Sequence, residues 1–193
     1  NGYDLRFATS NNAAQLNYEI DTWNTGGVSY VWVQVPVLPN GGTNFWAYWG
    51  NSGAAAAAAY YTTNGATWDS NYKAVLHLGE NGSTLYDSTR NRYHFTRNGT
   101  VSQLTGSMVG SAQDLTATGN SLSRSDDDGL DVSTCTVEAW VKSTGGDAYG
   151  RMVDKGYGNA GYIVCYNDTA VYPQNQMGQV SVQVSTAVND NQW

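Results

Sequence analysis

Two histidines, sixteen acidic side chains and a surplus of aromatic rings are the groups in this chain that could do chemistry. Hydrolysis of a glycosidic bond needs a pair of carboxylates roughly 5–9.5 Å apart. Glu19 and Asp21 share one face of the alternating stretch LNYEIDTWN, and Glu138 stands alone in TVEAWVKS between Thr136 and Trp140. Nucleophilic catalysis needs a base beside a hydroxyl or thiol, and neither a Ser/His/Asp spacing nor a G-x-S-x-G elbow occurs. His77 in AVLHLGE and His94 in NRYHFT therefore read as structural histidines. The expectation is a protein that is not an enzyme.

Calcium is the metal to weigh, because it takes six to eight oxygens from carboxylates, amides and carbonyls. Asp87, Ser88 and Asn91 cluster after Tyr86, and Asp126, Asp127, Asp128 and Asp131 cluster in SDDDGLD. Neither has EF-hand spacing, and Asp also favours turns for its own backbone bonding. The Asp87 loop is the preferred candidate. Cys135 shares strand parity with Val137, Ala139 and Val141, and Cys165 lies in GYIVCYN. They form a disulfide in an oxidising compartment, or remain two small buried thiols. The sequons at Asn81, Asn98 and Asn167 are what so Asn- and Thr-rich a chain produces by chance.

Aromatics form the last constellation. VSYVWVQVPVLP puts Val31, Val33 and Val35 inward and Tyr30 and Trp32 outward; NFWAYWGN puts Phe45, Ala47 and Trp49 on one face and Trp46 and Tyr48 on the other. If these two strands pair, Tyr30, Trp32, Trp46 and Tyr48 form one patch, and such patches mark binding surfaces. Flat rings stack on sugars without needing charge. The alternative is that a second layer covers the patch.

The elements that must position these groups are strands. Only 13% of residues are charged, 12% are aromatic, and Gly-rich turns separate short alternating runs. This is an all-β signature, with antiparallel β-sandwich modules buried on one face. A net charge of −7 argues against nucleic acid and against an anionic membrane surface, and no apolar run is long enough for membrane insertion as a helix. The six alanines from Ala54 to Ala59 read as a seam, either a short helical turn or a packed linker.

DLRF, YEIDTWN, VWVQVPVLP and FWAYWGN together resemble domain of unknown function 2341, over residues 2 to about 53. Then DSNYKAVLHLGE, YDSTRNRYHFTRNGT, GSAQDL, TVEAWVK and the closing NDNQW resemble a laminin-G-like, concanavalin-type jelly roll. The resemblances imply a partial first module at 1–53, an Ala-rich linker at 54–68 and a partial jelly roll at 69–193. They also imply an extracellular or cell-surface location and calcium near the acidic loops. The jelly-roll superfamily includes glycosidases with Glu, Asp and Glu along a single strand; Glu138 lacks those companions, which disfavours a glycoside hydrolase.

The function implied is a non-catalytic, glycan-binding or adhesion segment of a larger secreted protein, with a polysaccharide or cell-surface glycan as partner. A structural subunit of a filament or surface layer is the alternative. By resemblance the first module lacks opening strands and the second lacks closing ones. Such edges invite strands from a longer polypeptide or from neighbouring copies.

Overall fold

The computed structural model describes residues 2–142, 150–155, 161–166 and 179–184. The chain divides into two compact units, Asn1–Ser125 and Asp126–Trp193. Both are built from strands, as the alternation requires. The described helices are one α-helical turn, α1 (Ala59–Thr62), and a 3-10 turn at Asp128–Leu130. The architecture is all-β and consistent with a β-sandwich. No helix among the described residues is long and apolar enough to cross a membrane.

In the first unit β1 (Arg6–Thr9) pairs antiparallel with β4 (Phe45–Tyr48), and β2 (Tyr18–Thr22) with β3 (Tyr30–Val33). The core sits between these ribbons. Leu5, Phe7, Leu16 and Tyr18 are buried together, with Ile20, Val31, Val33 and Ala57 packed against them. Leu16, just ahead of β2, shares one face with Tyr18 and Ile20, opposite Glu19 and Asp21, and that face is the inner one. Phe7 meets Tyr18 and Phe45 edge-on, at centroid distances of 5.2 and 6.0 Å. The Tyr18 hydroxyl donates to the Leu5 carbonyl, so the buried phenol keeps its polar tip satisfied.

The pairing overturns one expectation. β3 and β4 are not partners, because each pairs with an earlier strand. Phe45 and Ala47 do face Phe7, as parity demands, but Phe45, Ala47 and Trp49 are exposed rather than buried with the valines. They lie toward the open side of a two-stranded ribbon, where no further layer covers them among the described residues.

The alanine run forms no strand or helix before its last residue. Ala58 has φ −62° and ψ 143°, and only the last residue of the run enters α1. Arg6 donates to the Ala55 carbonyl at 2.6 Å, and Ala57 packs on the core. Small side chains let this segment lie close against Leu5 and Phe7. The packed form is the one adopted.

Beyond it, β5 (Thr84–Leu85), β6 (Phe95–Asn98) and β9 (Ser121–Ser123) form a three-stranded antiparallel sheet, and β7 (Ser102–Thr105) pairs with β8 (Ser111–Asp114). AVLHLGE makes only a single bridge, Leu76 to Asp87. Leu78 has φ +59°, which breaks the extended run. Side chains then take the place of a ladder. Gln113 donates to the carbonyls of Leu78 (2.7 Å) and Glu80 (3.0 Å), Gln103 to Gly79, and Arg97 to Glu80 and Asn81.

In the second unit β10 (Gly150–Lys155) pairs antiparallel with β11 (Gly161–Tyr166), and β11 pairs parallel with β12 (Gln179–Val184). The parallel pair departs from the antiparallel expectation. TVEAWVK is not a strand: Val137, Ala139 and Val141 are exposed and no strand pairs with them among the described residues. Cys135 is likewise exposed rather than inward, with a free thiol. Alternation buries a face only where a second layer meets it, and none does so here among the described residues. The side chain of Cys165 lies outside the described residues, as does that face of GYIVCYN.

Candidate functional site

The outer face of β2 and β3 carries a cluster of linked polar side chains. Parity puts Glu19 and Asp21 opposite the core face of β2, and register puts Glu19 beside Trp32. His77 enters between the two carboxylates. Its Nε2 lies 3.3 Å from Glu19 and its Nδ1 3.5 Å from Asp21. The Nε2 contact is too poorly aligned for a good hydrogen bond, so the attraction is that of an ion pair.

Trp68 Nε1 donates to Glu19 at 2.7 Å, Ser88 Oγ donates to Glu19, and Trp32 Nε1 donates to Asp21 at 3.1 Å. The imidazole stacks on Trp32 with centroids 5.5 Å apart and planes 18° apart, and Trp68 closes the other side at 5.9 Å.

Electrostatics follow from this packing. Burial pushes His77 toward its neutral form, but the close contact and charge of Glu19, then the charges of Asp21 and Glu80, outweigh it and raise its pKa above 6.5. Burial also pushes the Glu19 carboxyl up, yet His77, Ser88 and Trp68 together hold it below 4.5. Both shifts favour the charged pair, an imidazolium held between carboxylates. Gly110 permits this close packing, since it has φ +61° and a Cβ there would meet Thr22 Oγ1 at 2.8 Å and Asp21 at 3.3 Å.

Trp68 links this cluster to a cleft of about 480 Å³, where it is joined by Asn17, Gln34, Tyr72, Arg90 and Asn91, with Asp69 on the wall. Tyr72 is half exposed and meets Trp68 edge-on at 5.1 Å. Asn17 is positioned by Gln34 (2.8 Å) and by the Ala66 carbonyl (3.2 Å). Asn91 is positioned by donating to the Lys73 carbonyl at 2.8 Å. Gly65, at φ +83°, lets the α1 loop approach Arg90 so closely that a Cβ would lie 2.5 Å from the Arg90 nitrogen. The cleft thus combines ring walls with amides.

The loop expected to hold calcium is built differently. Asp87 is fully buried, and its carboxylate accepts from the amides of Val75 (2.9 Å), Thr89 (2.9 Å) and Tyr93 (2.8 Å) and from the Thr89 hydroxyl (2.8 Å). Ser88 turns to Glu19 and Asn91 to Lys73, so Asp87, Ser88 and Asn91 do not converge on a point. No group of three or more His, Cys, Asp or Glu able to hold a metal occurs among the described residues. His94 Nδ1 accepts from the Asp87 amide at 3.0 Å, a structural role. In the SDDDGLD loop the cation is Lys155, which bridges Asp126 and Asp131; Asp127 caps the 3-10 turn through the Gly129 amide.

The four expected aromatic residues divide between two ribbons. Tyr30 and Trp32 lie on β3, Trp46 and Tyr48 on β4, so they are not one patch. Trp32 is committed to His77 and Asp21. Trp46 and Tyr48 are exposed, with polar tips tied to the Ser10 carbonyl (2.9 Å) and Asn12 (2.7 Å). Trp68 and Tyr72 were missed as site residues. Their signal was available in TWDSNY, two rings spaced around turn-forming polar residues.

Residues 1–92 match the model of the family described as domain of unknown function DUF2341. The match runs through the alanine run and takes in Glu19, Trp68, His77 and Arg90, so residue 53 falls inside it. No curated protein and no solved structure matches the chain.

Proposed function

We propose that this chain is a non-catalytic carbohydrate-binding segment of an extracellular or surface protein. The cleft beside Trp68 and Tyr72 carries this reading. Its rings offer apolar faces for sugar stacking, and Asn17, Gln34 and Asn91 offer amide groups for hydroxyls. Binding without catalysis is favoured by how the acid groups are spent. Ser88 donates to Glu19, and Glu19 and Asp21 clamp His77. The test is a glycan array with the wild type, Tyr72→Ala, and the double variant Trp46→Ala/Tyr48→Ala. Loss of binding in the first variant alone supports the cleft; loss in the second alone moves the platform to β4; no binding by the wild type refutes the reading.

A second reading is a structural subunit of an extracellular assembly. β4 pairs only with β1 among the described residues and carries exposed Phe45, Trp46 and Tyr48, with Trp49 just beyond. Such an edge can accept a strand from a neighbouring copy. Light scattering across a concentration series, with electron microscopy, separates a monomeric binder from a filament or lattice.

A further inference from the structure

Resting on the carbohydrate reading, we infer that the cleft selects an acidic saccharide, with Arg90 binding the carboxylate of a hexuronic acid residue. Arg90 is exposed on the cleft wall, and its guanidinium has no hydrogen-bond or carboxylate partner among the described residues. Its near neighbours in chain, Arg92 and Arg97, are spent on backbone carbonyls of Thr63 and Asn81. A planar fork left open beside an aromatic wall matches a carboxylate in two-point geometry, which a lysine would not.

Asp69, on the same wall, is no competitor for it. One of its oxygens accepts from the Asn71 amide at 2.8 Å, and the two side chains form no ion pair. A uronic acid residue satisfies both groups at once. Its carboxylate meets Arg90, its hydroxyls meet Asp69 and the amides, and its ring lies against Tyr72. The backbone at Arg90 packs closely against Gly65, which sets where the side chain leaves the loop. In a chain of net charge −7 one open arginine gives local selectivity without general polyanion attraction.

The experiment is calorimetric titration of the full chain with polygalacturonate, alginate and glucuronan oligosaccharides, their carboxyl-reduced neutral forms, and dextran sulfate. Binding of at least one acidic oligosaccharide, weakened roughly tenfold or more by carboxyl reduction and by Arg90→Gln, is the expected result. Arg90→Gln keeps the first two methylenes of the stem and a polar tip, and its melting temperature should match wild type. Arg90→Lys should recover only part of the affinity. Equal binding of acidic and reduced forms, unchanged in Arg90→Gln, would overturn the inference and leave the carbohydrate reading standing. Equal binding of dextran sulfate would overturn the uronate assignment in favour of a general anion site. Binding of no saccharide, acidic or neutral, would remove both readings.

Discussion

At the scale of single residues, the chain uses buried charge to organise backbone as well as to form pairs. The Asp87 carboxylate gathers four donors that would otherwise be orphaned in a buried turn. Each buried donor left without a partner costs about 1–3 kcal/mol. Asp87→Ala should therefore lose at least about 3 kcal/mol in denaturant unfolding, and Asp87→Asn, which keeps one acceptor oxygen, should lose less. Equal stability of Asp87→Ala and wild type would show that these donors find other partners. The same commitment was not legible in the sequence. Asp-Ser-Thr-Arg-Asn reads alike whether its oxygens turn outward to a cation or inward to amides, and composition does not record that direction.

His77 and Glu19 give a pH signature. His77 is raised above its ordinary 6.5, so its contribution is complete below that value and is lost as pH rises through its folded pKa. Glu19 is lowered below 4.5, so its contribution is complete above that value and is lost as pH falls through its folded pKa. Thermal stability should be greatest between about pH 4.5 and 6.5. His77→Gln should flatten the alkaline limb of the melting-temperature profile and Glu19→Gln part of the acid limb. Wild-type and variant profiles that run parallel at all pH values would deny the pair any linkage role.

At the scale of elements, much was legible from alternation. Leu16, Tyr18 and Ile20 turned inward and Glu19 and Asp21 outward, as read from LNYEIDTWN. Strand partners were not legible, because any of four alternating runs could pair with any other, and nearest neighbours in sequence were the wrong choice for β4. The His77 cluster was lost to the same cause. A seam drawn through the alanines put Glu19 and His77 in different modules, whereas the run brings the following chain back against β2. Glycine marks where that return is tight. At Gly65 a side chain would have to adopt φ +83° and meet the Arg90 backbone. The left-handed region alone costs an L-residue roughly 1–2 kcal/mol, and the contact adds to it. Gly65→Ala should lower the melting temperature by several degrees and weaken ligand binding in the cleft. A change confined to the melting temperature would separate the loop's structural role from its part in the site.

At the scale of the whole molecule, the family match and the compact unit differ in extent, 1–92 against Asn1–Ser125. The difference lies in what holds the segment carrying His77. Its backbone from Leu78 to Asn81 makes no ladder and depends on Arg97, Gln103 and Gln113, all beyond residue 92. Without them, part-buried carbonyls lose their donors and Leu78 keeps an unfavourable φ of +59° with nothing to hold it. Leu85 would also lose its partner strand β6, and with it β9 beyond, although it is fully buried in the longer chain. A polypeptide of residues 1–125 should therefore unfold cooperatively, with coincident transitions by tryptophan fluorescence and far-UV circular dichroism. A polypeptide of residues 1–92 should show a broad or absent transition and a tryptophan spectrum shifted toward water exposure, because Trp32 and Trp68 are ordered by the His77 cluster. If the shorter polypeptide unfolds as sharply as the longer one, the side-chain straps from β6 to β8 are dispensable, and residues 1–92 form a folding unit by themselves.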